Sequence, residues 1–341
     1  MSGEFGARAR EILARVVVWD AHAGFPFERA GDLEELGRWR AAGIDYVSVN
    51  IGYDYQPWTT ALEAASAYRH WMRAHRALVV PAIGVGDIAR ARSEGKIAIG
   101  FDIEGANALN GDAGMVDVFY KLGVRQMLFA YNRNNLAGGG CHDADTGLTG
   151  FGREVLAEMN RVGMVVDASH CGARTARELM ERSATPVIFS HSNARAVWDH
   201  ERNVSDELIR QCAAGGGVVG ITGVGPFLGR RGAVAEHVVE HIDHVVGLVG
   251  AGHVGLGIDS VLEKHGALDD MIGGAGARER FYWPEAQYAT GAGIGILPPE
   301  ALPAIVEGLL ARGYDDAAIA GIVGGNFLRL ATAVWKPVVV D

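Results

Sequence analysis

Residues 164–191 read MVVDASHCGARTARELMERSATPVIFSH, and this stretch decides the fold. Met164–Ala168 is a short apolar run interrupted by one aspartate, and Val187–Ser190 is a second. Between them, Ala173–Ser183 carries its apolar residues at helical spacing. Strand, helix, strand in that order predicts a parallel crossover unit, whose strands are covered on both faces and so lose the polar alternation of a half-exposed sheet. Each run ends on a histidine, His170 and His191.

Working outward, runs of the same kind lie at Val16–Asp20, Tyr46–Ile51, Ile97–Ile103, Gln126–Ala130, Val218–Ile221 and Val254–Ile258. Helical patterns at Trp58–His75, Phe151–Val162, Ser205–Ala214 and Val234–Val249 separate many of them, and Ser205 stands where a helix N-cap belongs. Eight strands alternating with helices predict a closed (β/α)₈ barrel. An open doubly wound sheet usually needs fewer strands, and no GxGxxG follows the first one. Gly215-Gly-Gly follows a helix and precedes a strand, so it reads as a helix end and turn. No linker divides the chain, so a single domain over residues 1–341 is expected. The Gly-rich segment 263–299, containing Phe281-Tyr-Trp-Pro284, follows the eighth strand and is expected to be a lid or a dimer contact.

Half of the 341 residues are apolar, enough for a large core, and the 48 glycines suit many tight strand-to-helix turns. A formal charge of -10 argues against a general nucleic-acid or anionic-membrane surface, which would need a basic patch. It leaves room for a small acidic substrate held by a local arginine. Three cysteines, Cys141, Cys171 and Cys212, do not suggest a disulfide framework and fit a reducing compartment. No apolar leader and no run of eighteen apolar residues is visible, so a cytoplasmic protein without a membrane span is expected.

Reactive side chains of such barrels sit at the C-terminal strand ends. There the sequence places His22, Glu104, His170, His191 and Asp259. Any one of these histidines alone reads more simply as a satisfied loop residue. Three imidazoles and two carboxylates at one end of a barrel are better explained as a divalent transition-metal site. His237, His241 and His244 share one helix face but lack the glutamate of a His-Glu-x-x-His motif, so a solvated or partly packed face is expected. His142, in a Gly-rich loop, is expected to be solvated, and Cys141 and Cys171 to be bystanders.

The order and spacing of Ile103-Glu-Gly105, Asn132-Arg-Asn-Asn135, Gly147-Leu-Thr-Gly-Phe-Gly152, Val166-Asp-Ala-Ser-His170, Ser190-His-Ser-Asn-Ala-Arg195, Asp199-His-Glu-Arg-Asn203 and Gly324-Gly-Asn-Phe-Leu328 resemble the membrane dipeptidase (renal dipeptidase) family of amidohydrolase-like metal-dependent hydrolases. The resemblance implies two metal ions bridged by Glu104, the second also held by His170 and His191. It implies that Arg202 grips the substrate carboxylate and that Asp259 shuttles the proton. The chain departs from the pattern at two positions: Gly24 replaces the aspartate of a His-x-Asp pair that begins at His22, and Tyr131 replaces a histidine that faces the substrate or its oxyanion. Without a carboxylate at position 24 the first ion keeps His22 and the shared Glu104, whereas catalytic zinc usually has three protein ligands. One Zn²⁺ at Glu104, His170 and His191 is therefore expected, with a second, weaker one near His22. Asp20, two residues before His22, reads as a buried carboxylate beneath the site.

The expected activity is hydrolysis of a short amide, a dipeptide or an N-acyl amino acid, with Asp259 as acid–base and Tyr131 as oxyanion donor. A branch acting on a lactam or other small amide is the second reading, and a non-catalytic ligand-binding relative the third. A homodimer is implied by the resemblance and by the aromatic loop.

Overall fold

The computed structural model describes residues 2–24, 35–229, 232–261, 277–288 and 295–338. Ten strands are described: β1 Trp19–Gly24, β2 Tyr46–Tyr53, β3 Val79–Pro81, β4 Ile97–Glu104, β5 Val124–Leu128, β6 Val165–Asp167, β7 Val187–Ile188, β8 Val219–Ile221, β9 Val254–Leu256 and β10 Ser260–Val261. Helices between them include α1 Ser2–Arg15, α2 Leu36–Ala41, α3 Thr59–Ala74, α4 Val85–Ser93, α5 Met115–Leu122, α6 Gly150–Val162, α7 Ala173–Arg182, α8 Asp206–Ala214, α9 Gly225–Leu228 and α10 Ala235–Val249.

Every strand pairing is parallel, in the order β10-β1-β2-β4-β5-β6-β7, with β3 beside the first half of β4. A bridge from Phe189 to Val219 joins β7 to β8, and β8 pairs with β9. The chain then runs from β9 into β10, which pairs with β1 and closes the circuit. All eight expected strands are present as the staves of the (β/α)₈ barrel. The additional β3 and β10 are only three and two residues long.

The period of two along each strand explains where its side chains go. On β2 and β4, Val47, Val49, Ile51, Ile99, Phe101 and Ile103 join the main core together with Ala61, Ala64, Ala65, Tyr68 and Met72 of α3. Ser48, Asn50, Asp102 and Glu104 alternate with them. Such buried polar groups are tolerable only when they are paired. Gln126 of β5 donates from Nε2 to the Ala21 carbonyl of β1 at 2.8 Å, so polar side chains span the interior. The N-terminal strand ends are closed by Trp19, Tyr46, Phe327 and Trp335, with ring centroids 3.8–6.1 Å from Trp19.

The first strand is three residues later than Val16–Asp20. Alternation of Trp19, Ala21 and Ala23 with Asp20, His22 and Gly24 keeps it extended, so His22 lies within the strand rather than past its end. The Ser205 hydroxyl caps α8 by accepting from Leu208 N at 3.4 Å, and Gly215 ends that helix, both as expected. Of the helix face expected to be solvated or partly packed, His237 and His241 are buried and His244 is partly exposed. His241 accepts from Ala194 N at 3.1 Å through Nδ1 and reaches the Leu228 carbonyl at 3.2 Å through Nε2. The segment Asp316–Val334 is long and apolar enough by composition to cross a membrane. Here it packs Ile319, Ile322, Val323, Phe327 and Leu330 into the cores.

Candidate metal centre and active site

All five residues expected at the site from the sequence meet at the C-terminal mouth of the barrel. From β1, His22 places Nε2 3.1 Å from Glu104 Oε1 and 3.6 Å from Asp259 Oδ1, and Nδ1 3.2 Å from Asp102 Oδ1. His170, just past β6, has Nε2 3.0 Å from Glu104 Oε2. His191, past β7, lies 3.7 Å from the same oxygen, and its Nε2 is 2.8 Å from that of His170. The rings of His22 and His191 stack at 4.0 Å. His22, Glu104 and His191 are fully buried and offer ligand atoms within 4.8 Å of one another.

Among the described residues, three of the four non-glycine residues with positive φ sit here: Asn132 (61°), His170 (63°) and Asp259 (60°). Left-handed backbone costs a non-glycine residue free energy and collects where function requires a particular side-chain aim.

The donor set suits a divalent cation. Asn132 Oδ1, an acceptor only, lies 2.6 Å from His170 Nδ1, while the same amide's Nδ2 donates to the Tyr282 carbonyl and the Tyr288 hydroxyl. The imidazole proton is therefore on Nδ1, and His170 Nε2 carries a bare lone pair. His191 Nδ1 pairs with Ser190 Oγ at 2.7 Å. Burial, reinforced by Arg202, holds both imidazoles well below the usual histidine pKa, so both are neutral. Two neutral imidazoles thus aim at one point beside a carboxylate oxygen, with edges of 2.8, 3.0 and 3.7 Å. Ligand atoms bound tetrahedrally at zinc distances lie about 3.3 Å apart. Burial raises the Glu104 pKa against the pull of His22, another sign of a carboxylate set for a positive neighbour.

The His22 end differs. Burial opposes charge on this imidazole, but Asp102 and Glu104 on either side outweigh it and raise its pKa well above the usual value. Gly24 offers no ligand. A Cβ there would meet Val261 Cγ2 at 3.2 Å and the Tyr53 hydroxyl at 3.4 Å, so Tyr53 borders the space an aspartate would use. Asp20 accepts from Trp39 Nε1 and Ile258 N, each at 2.9 Å, and is the buried carboxylate beneath the site that the sequence suggested.

Tyr131 is buried with its ring 4.3 Å from that of His170, and its hydroxyl accepts from Trp283 Nε1 at 2.8 Å. Arg202 is buried over the Phe227 ring, with Nη2 donating to the His191 carbonyl at 3.1 Å and Nη1 to Ser192 Oγ at 3.4 Å. Its Nε is a buried donor without a partner among the described residues. His200 supports this loop by accepting from Arg202 N at 3.1 Å.

His142 is not the solvated loop residue expected. Its side chain is 1% exposed, paired with Glu201 at 2.6 Å and Tyr288 Oη at 3.1 Å, and burial lowers its pKa to about 4. Cys141 and Cys171 have thiol pKa values raised by burial, that of Cys141 to about 12, which disfavours either as a thiolate ligand.

Residues the sequence reading did not single out complete the site. Asn50 Nδ2 donates to Glu104 Oε1 at 3.0 Å and Asp102 Oδ1 at 3.2 Å. Asp102 was legible, being two residues before Glu104 on one strand face. Asp54 accepts from Asn107 N, Tyr131 N and Asn135 Nδ2 at 2.8–2.9 Å and so fixes the loop that follows Glu104. Gly105 (φ 110°) lets that carboxylate in, since a Cβ there would fall 2.1 Å from it. Part of the 263–299 segment, residues 263–276 and 289–294, lies outside the described residues. The remainder brings Trp283 and Tyr288 against Tyr131 and Asn132. Asn132→Ala should weaken zinc binding by about 10–100-fold through loss of the His170 tautomer lock. Competition with a chromogenic chelator measures this, and an unchanged affinity would refute the assigned role of Asn132.

A parallel barrel with an imidazole–carboxylate cluster at its C-terminal mouth is a scaffold able to hold a divalent metal ion. The chain belongs to the membrane dipeptidase family (Peptidase family M19), whose model matches residues 6–270. It is 37% identical to an uncharacterized dipeptidase of Schizosaccharomyces pombe, across 50% of this chain and 43% of that protein. It is 25% identical to dipeptidase verJ of Clonostachys rogersoniana, across 96% of this chain and 87% of the relative. Among solved structures it resembles an amidohydrolase from Pseudomonas aeruginosa, with TM-score 0.84 and 30% identity across 96% of this chain and 99% of the other. A metallo peptidase from Rhodobacter sphaeroides, liganded with a phosphinate mimic of the dipeptide L-Ala-D-Ala, shares the fold with TM-score 0.77 and 22% identity, across 94% and 99% of the two chains. The match thus spans less than half of the first relative and most of the second.

Proposed function

We propose that this protein hydrolyses a dipeptide or an N-acyl amino acid, using one zinc ion held by Glu104, His170 and His191. The observation that carries the reading is the pair of neutral imidazoles converging on Glu104. A divalent ion there supplies Lewis acidity, polarising the scissile carbonyl and acidifying water.

The chain's own groups do the remaining work. Asp259, whose pKa burial raises to about 7, accepts a proton from the attacking water and returns it to the leaving amine. Arg202 presents its unpartnered Nε to the substrate carboxylate, a charge-assisted bond in a buried setting. The Tyr131 hydroxyl accepts from Trp283 and so keeps its own proton for a developing oxyanion. Trp283 and Tyr288 cover the mouth and exclude water. A weaker second ion beside His22, association of two copies through the exposed Phe281, and cytoplasmic residence with Cys141, Cys171 and Cys212 as free thiols belong to the same proposal.

Elemental analysis after zinc equilibration, together with turnover of a dipeptide panel, tests it. About one ion per chain with dipeptide turnover is the expected result. Two tightly held ions would overturn the mononuclear reading. A metal-loaded chain that cleaves lactams but no dipeptide would transfer the function to the small-amide reading, and absence of metal would favour a binding protein.

A further inference from the structure

At the other end of the barrel wall lies a second cavity, of about 430 Å³, lined by Arg69, Arg73, Arg76, Arg90 and Lys96 with Met72, Val79, Val80, Pro81 and Ile83. Lys96 immediately precedes β4, and Glu104 is its last residue, so the strand's eight residues separate this cavity from the metal centre by about 25 Å. Five cations around one cavity, with no carboxylate in its lining, are unexpected in a chain of net charge -10.

Local pairing neutralises only two of the five. Arg90 pairs with Asp87 at 2.6 Å and Lys96 with Glu94 at 2.5 Å. Arg69 makes only a hydrogen bond to the Leu122 carbonyl, and Arg73 and Arg76 have no ion-pair partner among the described residues. A helix C-terminus attracts a cation in its last turn, which accounts for Arg73 on α3. The same effect accounts for Arg90 in the last turn of α4, and leaves Arg69, Arg76 and Lys96 outside that explanation.

A second observation lies behind the wall. Arg125 is 1% exposed, and its guanidinium donates to the carbonyls of Ile83, Tyr120 and Val124, with no carboxylate among its hydrogen-bond partners. The Tyr120 ring lies 4.2 Å from this guanidinium and Asp87 is a nearby counter-charge, so Arg125 is accommodated within the fold and adds a positive field behind the cavity. Ile83, whose carbonyl it grips, lines the cavity.

We propose that this cavity binds a small, multiply phosphorylated anion. Several guanidinium groups can each engage a phosphate oxygen pair, and the volume matches a small-molecule site. The apolar floor of Met72, Val79 and Val80 takes the carbon skeleton of a phosphate ester.

The test is calorimetric titration of the metal-loaded enzyme with fructose 1,6-bisphosphate, a weak chelator, alongside inorganic phosphate. One bisphosphate per chain is expected, with affinity falling as salt rises and inorganic phosphate binding more weakly. In the Arg73→Glu/Arg76→Glu double variant the affinity should drop tenfold or more, while metal content and peptide turnover stay unchanged; both side chains are exposed, so folding is retained. Arg73→Lys/Arg76→Lys should keep most of the binding. Absence of binding to the wild type at millimolar ligand, or equal binding by wild type and the glutamate variant, would overturn the proposal. Because the readout is binding, it stands or falls separately from the peptidase reading.

Discussion

Asp259→Asn is expected to cut kcat for the preferred dipeptide by about 10²–10⁴-fold, the usual contribution of a positioned general acid–base group. Metal content and melting temperature should hardly move. Asparagine tolerates the left-handed backbone that residue 259 adopts (φ 60°), and the bond from its N–H to the His22 carbonyl is a main-chain contact. What is lost is proton affinity. Burial is the main reason the Asp259 pKa lies near 7, with the Glu104 charge adding to it and His22 opposing. A group with that pKa can take and return a proton at neutral pH, and a carboxamide cannot. Turnover within threefold of wild type would remove Asp259 from the mechanism.

Glu104→Gln should remove the metal, lowering zinc from about one ion per chain to a trace in elemental analysis, with activity lost in parallel. The loss exceeds that of Asn132→Ala because the carboxylate is itself the meeting point of His22, His170 and His191. A second readout separates this from unfolding. In the metal-free protein the Glu104 carboxylate is buried and its pKa raised, so its charge opposes folding at neutral pH. Metal-free Glu104→Gln should therefore melt no lower than metal-free wild type, yet gain no stability when zinc is added. Wild-type zinc binding by the variant would show that the ion sits elsewhere.

The barrel staves were legible because each is a compact apolar run, and the ligands because they stand at the ends of those runs. His170 and His191 follow β6 and β7 directly, so strand and ligand were read together. β3 was missed because its three residues adjoin the end of a long helical pattern. Asn132 could be quoted as part of a motif, but its function depends on His170, 38 residues later, and on Tyr288, 156 residues later. His142 was misread for the same reason: Glu201 and Tyr288, which bury it, are remote in sequence. Tyr53 beside Gly24 is a contact between two strands that no local pattern reveals.

The three-way grip of Asp54 has a consequence for the motions of the mouth. The Asn107 and Tyr131 amides and the Asn135 side chain all end on one carboxylate, so the loops after β4 and β5 cannot open one at a time without stranding a charge. They should breathe as one cooperative unit. In deuterium exchange the Asn107 and Tyr131 amides would then share a single opening free energy, and the rim over the substrate would behave as a hinged plate.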